Sequence, residues 1–171
     1  GRLLSDLADE RGEDPIDTAI DLIRSGGVSI VSYNMHDDDL ERLMAQPWTM
    51  TSSDGDLVPM GVGVPHPRTY GAFARKIGLY ARDLGVVSLE EAVRSMTSLP
   101  ATVFGMPDRG VIREGAVADI VVFDLAAVDD VAEFTDPHHY SEGMVHVFVN
   151  GVAALRDEEF TGKRPGRVLQ K

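Results

Sequence analysis

A chain of 171 residues suffices for one ordinary domain or two small ones, and 43% apolar with 26% charged residues is the composition of a chain with a real core. Its net charge of −12 repels phosphate backbones and anionic lipid, which argues against nucleic-acid and membrane partners. With no cysteine, disulfides, thiolate zinc sites and cysteine nucleophiles are excluded from the segment, and a cytoplasmic setting fits.

No run approaches 18 apolar residues, so no transmembrane helix is expected. The chain opens on Gly1-Arg2-Leu3-Leu4 rather than on methionine, which reads as an interior cut in a longer sequence. Asp14-Pro15 is a helix start, with a capping carboxylate and a proline in the first turn. Ile16, Ala19, Ile20 and Ile23 follow helical spacing, and Gly26-Gly27 ends the helix. The β-branched run Val28-Ser29-Ile30-Val31-Ser32-Tyr33 predicts a strand. Asp37 to Ala45 predicts a short helix with Leu40, Leu43 and Met44 on one face.

Trp48-Thr49-Met50-Thr51-Ser52 predicts a second strand, ending at Ser53-Asp54-Gly55. A loop rich in glycine and proline runs from Asp56 to Thr69, and a helix follows from about Tyr70 to Leu84. Ser88-Leu89-Glu90-Glu91 is a capping box for a helix reaching about Ser98. Strands alternating with helices imply a parallel sheet up to this point. Beyond Gly105 the character changes. Residues 110–112, 118–124 and 145–151 are short strand patterns, Asn150-Gly151 is a hairpin signal, and the tail 162–169 has the look of one more strand.

Asp54 is the foremost candidate for chemistry. It lies where a predicted strand gives way to a glycine-rich loop, the end of a parallel barrel strand at which active sites gather. A carboxylate there can ligate a metal or take a proton from water. The competing reading is an aspartate favoured by turn chemistry alone. In His66-Pro67-Arg68 the guanidinium offers a rigid fork for a carboxylate, and the histidine is suited to bind substrate, metal or a proton. The competing reading there is a surface loop or an Arg–Asp pair. His36 precedes the acidic run Asp37-Asp38-Asp39 and reads as a helix start. His138-His139 point apart on a strand, and His146 reads as structural.

Together these segments resemble the C-terminal third of the N-acyl-D-amino-acid deacylases, the D-aminoacylase family of the amidohydrolase superfamily. The resemblance rests on 47–50 leading to Ser53-Asp54-Gly55, on His66-Pro67-Arg68-Thr69-Tyr70-Gly71, on 88–93 and 96–101, and on Asp108-Arg109-Gly110. It continues through 115–124, Val149-Asn150-Gly151 and 161–169. The run at 115–124 marks the superfamily only; Asp54 with His66-Pro67-Arg68 is the more specific part.

The resemblance implies an α/β fold: the last strand–helix units of a metal-dependent hydrolase TIM-like (β/α) barrel over 1–104, then part of a small β-sandwich domain over 105–171. It implies zinc at the barrel mouth, with Asp54 as catalytic base and metal ligand, and with Arg68 and His66 binding substrate. The substrate is then a small N-acyl-D-amino acid. The family's early His-x-His pair and its bridging cysteine or modified lysine have no counterpart here. Most zinc ligands are therefore expected outside this chain, on an N-terminal remainder of the enzyme. The isolated chain is expected to be inactive, to bind zinc weakly and to self-associate. The rival expectations are another superfamily activity, a cyclic-amide hydrolase or deaminase, and a non-catalytic fragment lacking the metal site.

Overall fold

The computed structural model describes residues 2–28 and 30–169; Gly1, at the expected interior cut, lies outside them. Among the described residues six α-helices come first: α1 (Leu4–Arg11), α2 (Pro15–Arg24), α3 (Asp37–Met44), α4 (Arg68–Arg75), α5 (Leu89–Met96) and α6 (Ser98–Val103). Four strands follow: β1 (Ile120–Phe123), β2 (Met144–Val149), β3 (Val152–Arg156) and β4 (Glu159–Phe160).

Local chemistry explains most of the helix boundaries. The Asp14 carboxylate accepts the Ile16 N–H at the start of α2, His36 Nδ1 accepts the Asp38 N–H at α3, and Ser88 Oγ accepts the Glu91 N–H at α5. At α5 the Glu91 side chain engages Arg94 at 2.6 Å. The helix predicted from Tyr70 forms in two parts. Beyond Arg75 it widens into a π-helical stretch, Lys76–Asp83. Helix α1 carries no cap signal at its N-terminus and was not foreseen; Gly12, left-handed at φ 65°, closes its far end.

The predicted strands at 28–33 and 48–52 do not form among the described residues; Ser29 lies outside them. The reason is the lack of a neighbour. A parallel strand needs a partner brought in by a crossover, whereas Trp48–Ser52 makes one long-range backbone bond, Thr51 N–H to Ser95 O at 3.0 Å. The expected parallel sheet is therefore absent from the described residues. Apolar side chains stand uncovered instead, with Ile30 79% exposed and Tyr33, Trp48, Ile16 and Ile23 exposed as well. Met35 and Met60 are exposed too.

The second half is an antiparallel meander in the order β1-β2-β3-β4, each strand pairing with its sequence neighbour. Asn150 (φ 50°) and Gly151 (φ 77°) form the two-residue turn between β2 and β3, as the Asn-Gly signal predicts. Asp157 and Glu158, also at positive φ, make the unforeseen turn into β4. Residues 110–112 are not a strand: a Cβ on Gly110 would lie 2.7 Å from Thr97 O, so the chain packs against the α5–α6 junction instead. The tail 162–169 forms no ladder and is tied at Pro165 O by Asn150 Nδ2 at 2.7 Å.

Val128 joins the two halves. It is fully buried, with a Cβ on Gly78 meeting its carbonyl oxygen at 2.7 Å and a Cβ on Gly143 meeting its N–H at 2.5 Å. Arg82 Nη1 donates to that carbonyl at 2.7 Å and to Leu125 O at 3.1 Å.

Candidate functional site

Asp54 is one of four non-glycine residues among those described with positive φ, at 48°. Aspartate tolerates this left-handed conformation better than most residues. Gly55 follows because the turn is pressed onto the start of α4. A Cβ at Gly55 would lie 2.8 Å from Thr69 Cα and 3.3 Å from Arg68 O. Behind the turn, Thr51 anchors the segment. Its Oγ1 accepts from Lys76 Nζ at 2.7 Å and lies 3.3 Å from Ser95 Oγ. Lys76 is only 4% exposed, and burial holds its ammonium below the usual lysine range, with Glu91 pulling weakly the other way.

The structure brings the three candidate site residues together. Arg68 Nη2 donates to Asp54 Oδ2 at 2.8 Å. His66 Nδ1 accepts the Arg68 N–H at 3.1 Å, which sets the entry into α4. Burial lowers the His66 pKa below the usual histidine range; the Arg68 charge adds to the shift and Asp54 opposes it. The imidazole is thus held neutral, as its acceptor role at Nδ1 requires.

Beside this trio lies an open pocket of about 430 Å³ lined by His66, Arg68, Arg75, Asp130, Glu133 and Phe134. Asp130 has 5% side-chain exposure and pairs with Arg75 at 3.7 Å. It presses on α4 at Gly71, where a Cβ would fall 1.8 Å from its Oδ1. Phe134 stands edge-on to both His66 and Tyr33, with ring centroids 5.0 and 5.3 Å away. Arg75, Asp130 and Phe134 were missed from sequence. The α4 side of the pocket has a signal in its helical spacing, but nothing in the sequence couples 130–134 to 66–75.

The other histidines serve local structure. His36 caps α3, and His146 Nδ1 accepts the Asp157 N–H at 3.1 Å. His139 pairs with Asp136 at 2.8 Å. His138 engages the loop after Asp54, at Gly61 and Gly63.

No three His, Cys, Asp or Glu side chains converge as a metal-ligand set among the described residues. The Asp54 side chain is 83% exposed, and no hydrogen bond among the described residues engages its Oδ1, so a metal held by other ligands has access to it. No helix among the described residues is long and apolar enough to cross a membrane.

A family model described as the amidohydrolase family matches residues 1–154. A D-aminoacylase of Alcaligenes xylosoxydans xylosoxydans is 42% identical over 171 residues, covering 100% of this chain and 34% of its own length. A crystal structure of D-aminoacylase superposes with a TM-score of 0.88 at 42% identity, over 100% of this chain and 35% of that one. An N-acyl-D-glutamate deacylase from Bordetella bronchiseptica, complexed with zinc and a phosphonate mimic of the tetrahedral intermediate, superposes at 0.86 with 37% identity. It covers 100% of this chain and 35% of its own. This chain therefore spans about a third of the length of the relatives it matches, and its mixed helix-and-strand fold is that of the D-aminoacylase structures.

Proposed function

The chain belongs to the amidohydrolase family, and we propose that the protein containing it hydrolyses the amide of N-acyl-D-amino acids to a carboxylate and a free D-amino acid. The observation that carries the reading is the Asp54–Arg68 pair at 2.8 Å, at the mouth of a turn fixed by Gly55. It stands in a segment 42% identical to a D-aminoacylase. On this reading residues 1–104 supply the closing strand–helix units of a β/α barrel and 105–171 part of a small β domain. The N-terminal remainder of the protein covers the exposed apolar side chains at 28–50 and carries the other metal ligands.

Zinc, when bound, polarises the amide carbonyl and acidifies the attacking water. Asp54 holds one ligand position and receives the proton as the water oxygen bonds to the carbonyl carbon. When the C–N bond breaks, Asp54 returns that proton to the departing nitrogen, so the acyl part leaves as a carboxylate and the amine is freed. Arg68 has donors beyond the one given to Asp54, and these hold the substrate carboxylate as a planar fork. His66, neutral and bonded to the Arg68 backbone, sets the angle of that fork and lines the substrate pocket.

The test is Asp54→Asn in the complete protein with zinc and N-acetyl-D-methionine, with released D-methionine followed by chiral chromatography. Turnover should fall at least about a hundredfold, the usual scale for a lost general base, with the thermal midpoint little changed. Near-normal turnover removes Asp54 from the mechanism, and no turnover by the unmodified protein removes the reading. Arg68→Lys should chiefly raise the KM for the N-acyl-D-amino acid, because lysine cannot reproduce a bidentate grip. An N-acyl amine without the carboxylate should be spared; equal damage to both substrates makes Arg68 structural.

A further inference from the structure

Asp54 and His66 stand at the two ends of one irregular loop, so the loop's conformation sets the distance between them. The loop has little to hold it. Leu57, Met60, Val62 and Val64 are exposed, and Gly61 and Gly63 both sit at positive φ. Unrestrained, such a segment samples many conformations, and fixing it costs backbone entropy.

One side chain, 75 and 77 residues away in sequence, meets it at two points. His138 Nδ1 accepts the Gly61 N–H at 3.1 Å, and Nε2 lies 3.0 Å from Gly63 O. A carbonyl can only accept, so Nε2 carries the ring proton. Nδ1 is then the bare acceptor, and Tyr70 Oη, 3.0 Å from it, donates. All three contacts need the same neutral tautomer. The residues around His138 are anchored in turn. Ser141 Oγ donates to Tyr70 O at 2.9 Å, and Tyr140 stands edge-on between Tyr70 and Phe160 of β4. The imidazole thus ties the loop both to α4, through Tyr70, and to the meander.

We propose that His138, neutral and protonated on Nε2, is a positioning residue that latches loop 56–65 and so holds Asp54 in register with His66 and Arg68. Both ring nitrogens are spent on the loop, which leaves His138 no role as a metal ligand. The consequence for substrate rests on the deacylase reading; the latch itself does not.

The experiment is amide hydrogen exchange on the complete protein, read at Gly61 and, as controls, at Val147 and Leu155 in the sheet. His138→Phe keeps a ring beside Tyr70 but removes donor and acceptor. His138→Asn places an oxygen near the Nδ1 position, and His138→Gln places an amide nitrogen near the Nε2 position. The Phe and Gln variants should speed exchange at Gly61 by about tenfold or more, the scale of one lost hydrogen bond. The Asn variant should stay within about threefold, and the sheet controls should not move. Steady-state kinetics on the same proteins should show the Phe variant lowering kcat, because Asp54 is then out of register, with a smaller rise in KM. Unchanged exchange at Gly61 in the Phe variant overturns the latch, as does an Asn variant that behaves like Phe. Sheet amides rising in parallel also overturn it, since His138 is then a fold residue. Faster exchange at Gly61 with unchanged kcat and KM overturns its positioning role. Inactivity of the unmodified protein leaves the exchange result standing and counts against the deacylase reading alone.

Discussion

The two halves of this chain treat apolar β-branched sequence in opposite ways. Ile120-Val121-Val122 and Val145-His146-Val147 become paired strands, whereas Ile30-Val31 and Trp48–Ser52 do not, although their composition is similar. The difference lies in where the partner resides. In the meander each strand's neighbour is the next strand in sequence: two-residue turns at 150–151 and 157–158 bring β3 and β4 alongside, and the connection 124–143 brings β2 alongside β1. The stretches at 28–33 and 48–52 are flanked by helices, so their neighbours must come from outside a hairpin, and the described residues provide none. Strand propensity is a capacity to pair, and it is realised only when the chain brings a partner alongside.

The sharpest way to break this contrast is to supply the missing partner. Amide exchange in the 171-residue chain alone should be fast over 30–35 and 48–50 and slow over 145–148 and 153–155. Joined to its N-terminal remainder, the first set should slow by about a hundredfold or more, because paired ladder bonds open only with global or subglobal unfolding. The second set should change little. Protection at 30–35 in the isolated chain, with self-association excluded by dilution, would show that these residues find a partner within it.

A mid-sized test concerns the joint between the halves. Gly78 lies against the Val128 carbonyl, with room for hydrogen but not for carbon at 2.7 Å, and Arg82 already occupies that oxygen. Gly78→Ala must displace backbone rather than a side-chain end. The expected loss is about 1–3 kcal/mol, the usual range for overpacking, read as a lower urea midpoint in the complete protein. Preserved cooperativity would mean that the halves still unfold together. A second transition would mean that Val128 couples them. An unchanged midpoint would show that the helix and the 125–130 segment slide past one another freely.

What could be read in advance divides along the same line. Caps at Asp14 and Ser88, the Asn150-Gly151 turn and the stops at Gly26-Gly27 are local, and each was legible because the residues that define it lie within about five positions of one another. The turn at Asp54 was legible because a strand-like stretch running into Ser-Asp-Gly marks a chain reversal, and the pairing of Asp54 with Arg68 spans only the following loop. Asp130, Phe134 and His138 were not legible as neighbours of that site. They reach it across at least 59 residues, through Gly71, His66 and Gly61. The π-helical stretch at Lys76–Asp83 was hidden for another reason: its apolar spacing satisfies an α-helix equally well.

The smallest effect is electrostatic and belongs to His66. Its imidazole is neutral in the fold because burial and the Arg68 charge disfavour the proton, with Asp54 compensating in part. The folded pKa lies below the unfolded one, so between the two the unfolded chain binds more protons and stability rises with pH. Above about pH 6.5, the ordinary histidine value, the contribution is fully present. It is lost as pH falls through that value towards the lower folded pKa, and below both it is constant. His66→Asn keeps a side-chain oxygen able to accept the Arg68 N–H but has nothing to titrate. The difference in unfolding free energy between the complete protein and this variant, followed from pH 8 to pH 5, should be flat at the upper end and fall at the lower. Histidines other than His66 contribute equally to both proteins and cancel in that difference. A difference that stays level throughout would mean that His66 is solvated as freely in the fold as out of it. A difference that grows as pH falls would mean that the Asp54 carboxylate, rather than burial and Arg68, governs this imidazole.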